Sequence, residues 1–130
     1  MVERNTRCVL SWELVKERTP QNMQACLDQG PRAKQYYSDM FYYYSLLDYY
    51  PAKHRSLNNK SQTYSVESVN ADLRHYLRRL ARRSKCFSRS FKAFRNTLTI
   101  FVYCHNQRQL AKQKFPHRYY GLSDFAPTCF

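Results

Sequence analysis

An α/β fold is predicted by three observations. Segments with strand chemistry alternate with segments of helical period, in the order strand, helix, strand, helix, short strand, helix, helix. The chain has 130 residues, the size of one small domain. Hydrophobic residues make up 43% of it, enough to build a core.

Residues 1–6 are polar, with a hairpin turn at Asn5 and Thr6. Residues 7–15 (R-C-V-L-S-W-E-L-V) are rich in strand formers, and Cys8, Leu10, Trp12 and Leu14 alternate with a less apolar set. The spacing predicts a strand with that first set facing the core. Thr19 and Pro20 are a helix start, a hydroxyl N-cap followed by proline at the first helical position. Met23, Cys26 and Leu27 then recur at helical spacing, and Gln29-Gly30-Pro31 stops the helix. Residues 33–38 read as a strand that ends in Asp39. Residues 40–50 (M-F-Y-Y-Y-S-L-L-D-Y-Y) read as a helix closed by Pro51, its tyrosines serving amphipathic packing rather than base stacking. Residues 52–58 form a last short strand.

The stretch from Val66 to Ser90 opens with Glu67 and turns strongly basic. As a helix it gathers Val66, Val69, Leu73, Tyr76, Leu77 and Leu80 into one core-facing stripe. Glu67, Arg74 and Arg78 lie on its flank, Glu67 and Arg74 two turns apart. A carboxylate can hold a divalent metal and guanidiniums can hold phosphates. The same pattern also fits a surface helix with a solvated charged face. A second long helix over residues 90–113 presents Phe91, Phe94, Leu98, Phe101, Val102 and Leu110, and residues 114–130 form a tail.

The formal net charge is +13, the excess collecting after Lys53, which implies a polyanionic partner, nucleic acid before membrane. Only Gly30 and Gly121 are glycines, so no Gly-rich phosphate loop is available. Five cysteines at wide spacing, with no C-x-x-C pair, point to reduced thiols rather than to disulfides or zinc. Cys86 sits among Arg83, Lys85 and Arg89 but has no nameable base, so it reads as a packing residue. His54 and His105 read as ordinary core or surface histidines. The chain shows no signal peptide and no apolar run of membrane-spanning length, so a cytoplasmic location is expected.

The run Arg79–Ser90 (R-L-A-R-R-S-K-C-F-S-R-S), preceded by E-x-x-N-x-x-L-R at Glu67, Asn70, Leu73 and Arg74, closely resembles the C-terminal catalytic segment of bacterial transposases of the insertion-sequence-one type. Upstream, Y-Y-S-D-M-F-Y-Y-Y around Asp39 is similar to the family's strand ending in its second catalytic aspartate, and R-C-V-L-S-W-E-L-V-K-E-R-T and Asn106 also fit its pattern. The resemblance covers nearly the whole chain.

It implies a partial RNase H-like fold on residues 1–113, from a family with an Asp-Asp-Glu metal triad, followed by a C-terminal helical extension. Asp39 and Glu67 would be catalytic and metal-binding, with Mg²⁺ or Mn²⁺ as cofactor. Arg74, Arg78, Arg82, Arg83, Lys85 and Arg89 would contact the phosphates of double-stranded DNA, both transposon ends and target. The implied reaction is nicking at transposon ends followed by attack of the freed 3′-hydroxyl on target DNA. A nucleoid-associated homo-oligomer, or association with a full-length transposase, is the implied assembly.

The family's first aspartate lies on an opening strand before residues 7–15, and its DNA-end-binding region lies further upstream. Neither is matched here, and Glu3 does not take the first role. The expectation is therefore a truncated transposase with little or no strand transfer of its own. A non-catalytic basic DNA-binding protein, or an inactive partner of a full-length transposase, is the alternative. An RNase H-like nuclease unrelated to transposition is a third reading, but it gives no reason for the Arg79–Ser90 run.

Overall fold

The computed structural model describes residues 1–58, 61–77, 80 and 90–126. Among these the chain is mixed α/β, with three α-helices and a two-stranded parallel sheet. The elements are α1 (Pro20–Gln29), β1 (Gln35–Ser38), a 3₁₀ turn (Tyr42–Leu46), β2 (Lys53–Ser56), α2 (Tyr64–Tyr76), α3 (Phe91–Lys114) and a second 3₁₀ turn (Ser123–Phe125).

Local chemistry sets most boundaries. The Thr19 hydroxyl accepts the Asn22 N–H at 3.2 Å and Pro20 opens α1. Gly30 closes it by donating to the Leu27 carbonyl. Ser90 caps α3 in the same way, accepting from Ala93 at 3.2 Å. β1 and β2 pair in parallel, with Tyr36 opposite His54 and Ser38 opposite Ser56.

The turn at Asn5 and Thr6 is present. The Glu3 carboxylate accepts the N–H groups of Asn5 and Thr6, and Val2 bridges Val9 in antiparallel fashion. Arg7 closes the turn with φ 60°, a left-handed conformation that costs a residue bearing a Cβ about 1–2 kcal/mol.

Residues 7–15 are not a strand beyond that single bridge. A strand needs a neighbour to take its backbone bonds; here Glu3 N donates to the Cys8 carbonyl and Leu10 N to the Met1 carbonyl, while a side chain takes both bonds of Val9. The Asn106 amide accepts from Val9 N at 2.8 Å and donates to Val9 O at 2.9 Å. This grips the N-terminal segment to α3, with Ser65 Oγ on the Arg4 carbonyl as a second tie from α2. Asn106→Ala is expected to cost about 1–3 kcal/mol, because both Val9 groups lose their partner at once. A fall in the denaturation midpoint with an unchanged slope would show it.

Residues 40–50 are not an α-helix. Asp39 accepts the Phe41 N–H at 3.1 Å and Asp48 accepts the Tyr50 N–H at 2.9 Å, so two aspartates form local turns that compete with helical bonds. Gln24 of α1 also grips Asp48 by both its N–H and its carbonyl. Only the Tyr42–Leu46 3₁₀ turn remains between them.

α2 ends at Tyr76, with Leu77 as its cap, so the predicted stripe does not run on one helix to Leu80. Its inward face is also different. Ser65 and Val69 are buried, whereas Val66 and Tyr76 are exposed. Likewise α3 buries Leu98, Phe101, Cys104 and His105, and leaves Phe91 and Leu110 exposed. The tail returns along α3: Cys104 Sγ lies 3.3 Å from the Phe125 carbonyl and Arg108 Nε donates to the Tyr120 carbonyl at 3.0 Å.

His105 is a core residue at 1% exposure, ring-stacked with Phe101. Its Nε2 meets the Arg7 carbonyl at 3.1 Å, and its Nδ1 lies 3.6 Å from the Asp72 carboxylate. Burial pushes its pKa below the ordinary value. The Arg7 carbonyl and Asp72 oppose that shift, while Arg108 and Lys112 reinforce it. With a folded pKa below the unfolded one, this stability is fully present above about pH 6.5 and is lost as pH falls through the folded value. The denaturation midpoint is expected to drop between pH 7 and pH 5.5, and His105→Gln is expected to flatten that dependence.

Candidate functional site

Asp39 follows the last residue of β1 and is exposed. The parallel register seats it firmly. Ser38 and Ser56 are paired, and both hydroxyls donate to the Asp39 carbonyl at 2.8 Å. Because the Ser38 hydrogen goes to that carbonyl, the 2.9 Å contact between Ser38 Oγ and His54 Nε2 has the imidazole as donor. His54 is stacked on Tyr49 with ring centroids 4.1 Å apart, and burial lowers its pKa, which favours this neutral form. Tyr49 itself is pushed up to about 12, mainly by burial, and stays a phenol.

Glu67 lies in the first turn of α2, where the helix dipole favours a carboxylate. Asp39 and Glu67, placed together by the sequence reading, border one cleft of about 770 Å³. Four consecutive residues of the β1 region, Tyr36, Tyr37, Ser38 and Asp39, line it. Side chains alternate between faces along a strand, so a cleft touched by all four runs along the strand's edge. Leu57 and Asn58, just past β2, line it too, so it also reaches the carboxyl ends of both strands. The opposite walls are apolar residues of α1, Met23 and Leu27, and the exposed Val66 of α2.

Asn70, one helical turn beyond Glu67, also borders the cleft, as does Arg18. Asn70 was legible in the E-x-x-N spacing, which puts it on the Glu67 face. Arg18 had no such signal, since only the tertiary structure carries residues 15–18 to β1. Glu13 is a third acid of the cleft, but its carboxylate is paired with Arg95 at 3.0 Å.

Two oxygen-bearing acids suit a hard divalent cation. Among the described residues no three His, Cys, Asp or Glu side chains gather into a metal site. Asp39 and Glu67 supply two donors of that chemistry at the rim of one cleft. Arg74 is exposed in the last turn of α2 and does not border the cleft. Arg78, Arg82, Arg83, Lys85 and Arg89, with Cys86, lie outside the described residues. No described helix is long and apolar enough to cross a membrane.

No family model, curated protein or solved structure matches this chain.

Proposed function

We propose that this chain is the C-terminal catalytic part of a DNA transposase of the insertion-sequence-one type. The observation that carries the reading is the meeting of Asp39, at the carboxyl end of a parallel strand, with Glu67, on a helix, at one cleft. The resemblance assigned catalytic roles to these two acids, and they are 28 positions apart in sequence.

On this reading β1 and β2 belong to an RNase H-like sheet. A further strand, carrying the family's first aspartate, lies along the open edge of β1 and completes the acid set. Asp39 and Glu67 then hold Mg²⁺ or Mn²⁺, which supplies activation of the attacking oxygen and charge stabilisation at the phosphate. The serine pair of the sheet fixes Asp39, and the helix start fixes Glu67. The basic residues from Arg74 to Arg89 bind DNA phosphates, in salt-sensitive fashion.

The test joins the chain to the aspartate-bearing first strand of a transposase of that type and assays metal-dependent nicking of supercoiled DNA. Nicking by the joined protein, with none from the 130 residues alone, is expected. Absence of nicking from both would sink the catalytic reading.

A second reading is a non-catalytic DNA-binding protein or inactive transposase partner. The net charge of +13 and the basic residues between Arg74 and Arg95 support it. It predicts DNA binding that persists with no nicking in any combination.

A further inference from the structure

We propose that the aromatic turn over residues 40–44, beside Asp39, is a stacking platform for unpaired bases of the DNA strand brought to the cleft. The inference rests on the DNA-processing reading above and adds to it a site for single-stranded nucleic acid.

Packing of these residues in a helix would have hidden them. In the structure Met40 is 63% and Tyr42 66% exposed, and Phe41 is exposed as well. They form an ordered cluster rather than scattered side chains. Phe41 meets Tyr43 edge-on at 5.0 Å and Tyr44 edge-on at 6.1 Å, and Tyr42 leans on Tyr43 at 6.3 Å. The exposed Arg18 lies over Phe41 with its guanidinium carbon 4.0 Å from the ring centroid. It also donates to the Tyr44 hydroxyl at 3.0 Å. A guanidinium has five N–H groups, so that one bond leaves donors for a phosphate.

Rings interleaved with an arginine are the means by which single strands are held without sequence preference: bases stack on the rings while cations follow the backbone. The Arg18 guanidinium seated among these rings can meet a phosphate while a base stacks beside it, which suits a nucleic-acid strand better than a basic partner. Position gives the site its use. Asp39 accepts the Phe41 N–H, and Asp39, Arg18 and Tyr44 all border the cleft. A nucleotide stacked on Tyr42 is therefore a neighbour of any phosphate that reaches Asp39. Duplex DNA keeps its bases paired and cannot use the rings, so the platform prefers frayed or opened ends.

The test uses the full chain and a short oligonucleotide containing one 2-aminopurine, single-stranded or fully paired. Quenching of the probe by the wild-type chain is expected only in the unpaired strand. Tyr42→Ala is expected to weaken single-strand binding at least about fivefold with duplex binding unchanged, and Tyr42→Trp to restore it. The exposure of Tyr42 spares the core, and circular dichroism checks this. Unaltered single-strand affinity in Tyr42→Ala overturns the platform alone. So does a variant that alters self-association but not DNA affinity. Wild-type protein that binds neither DNA form overturns both the platform and the function on which it rests.

Discussion

Glu67→Gln is expected to abolish metal-dependent nicking by the chain completed with the family's first strand, by at least about a thousandfold or roughly 4 kcal/mol of barrier. The amide keeps the shape of the side chain at the start of α2 but removes the negative charge that a divalent cation requires. DNA affinity should hold or rise, since a charge repelling phosphate is lost from the cleft. Asp39→Asn should behave alike, because its backbone is held by Ser38 and Ser56 independently of its carboxylate charge. Nicking rates and filter binding, measured on the same preparations, separate the two functional readings. Loss of rate with intact binding supports catalysis. A completed protein that nicks DNA as fast with glutamine at this position would end the assignment of Glu67.

Phe101→Ala is expected to be the most damaging core substitution. Phe101 is 3% exposed, stacks on His105 and meets the tilted ring of Tyr76 of α2 at 6.5 Å. Emptying such a site costs about 3–5 kcal/mol in transfer and cavity energy. Total stability of a domain is about 5–15 kcal/mol. The buried apolar side chains among the described residues are few: Cys8, Tyr36, Val69, Leu98, Phe101 and Cys104. A broad, non-cooperative melt, or a denaturation midpoint lowered by at least a third, is the expected result. Leu110→Ala on the same helix, 48% exposed, should stay within about 0.5 kcal/mol of wild type. Equal effects of the two would contradict the placement of α3.

The sequence by itself determined the features that depend on nearest neighbours. The Thr19–Pro20 start and Gly30 stop of α1, the Ser90 cap of α3, the Asn5–Thr6 turn and the end of a strand just before Asp39 are all decided within a few residues, by hydroxyl caps, proline geometry and side-chain acceptors. That Asp39 and Glu67 belong together was an expectation of the resemblance, and the structure adds that both border one cleft.

The tertiary structure decided whatever depends on a partner distant in sequence. Residues 7–15 have the propensity of a strand, but strand pairing needs a neighbour, and the Asn106 amide took the Val9 bonds instead. Residues 40–50 read as a helix, yet Asp39, Asp48 and the grip of Gln24 drew their backbone into turns that leave Tyr42 and Tyr50 exposed. An amphipathic pattern states that a helix has an inner face without stating what lies opposite. Thus Val66 came to line the cleft while Ser65 was buried, and His105 entered the core because the Arg7 carbonyl was there to receive its ring. Asp39 and Glu67 border one cleft because the end of β1 and the start of α2 are both brought to it, an arrangement that only packing between remote segments decides.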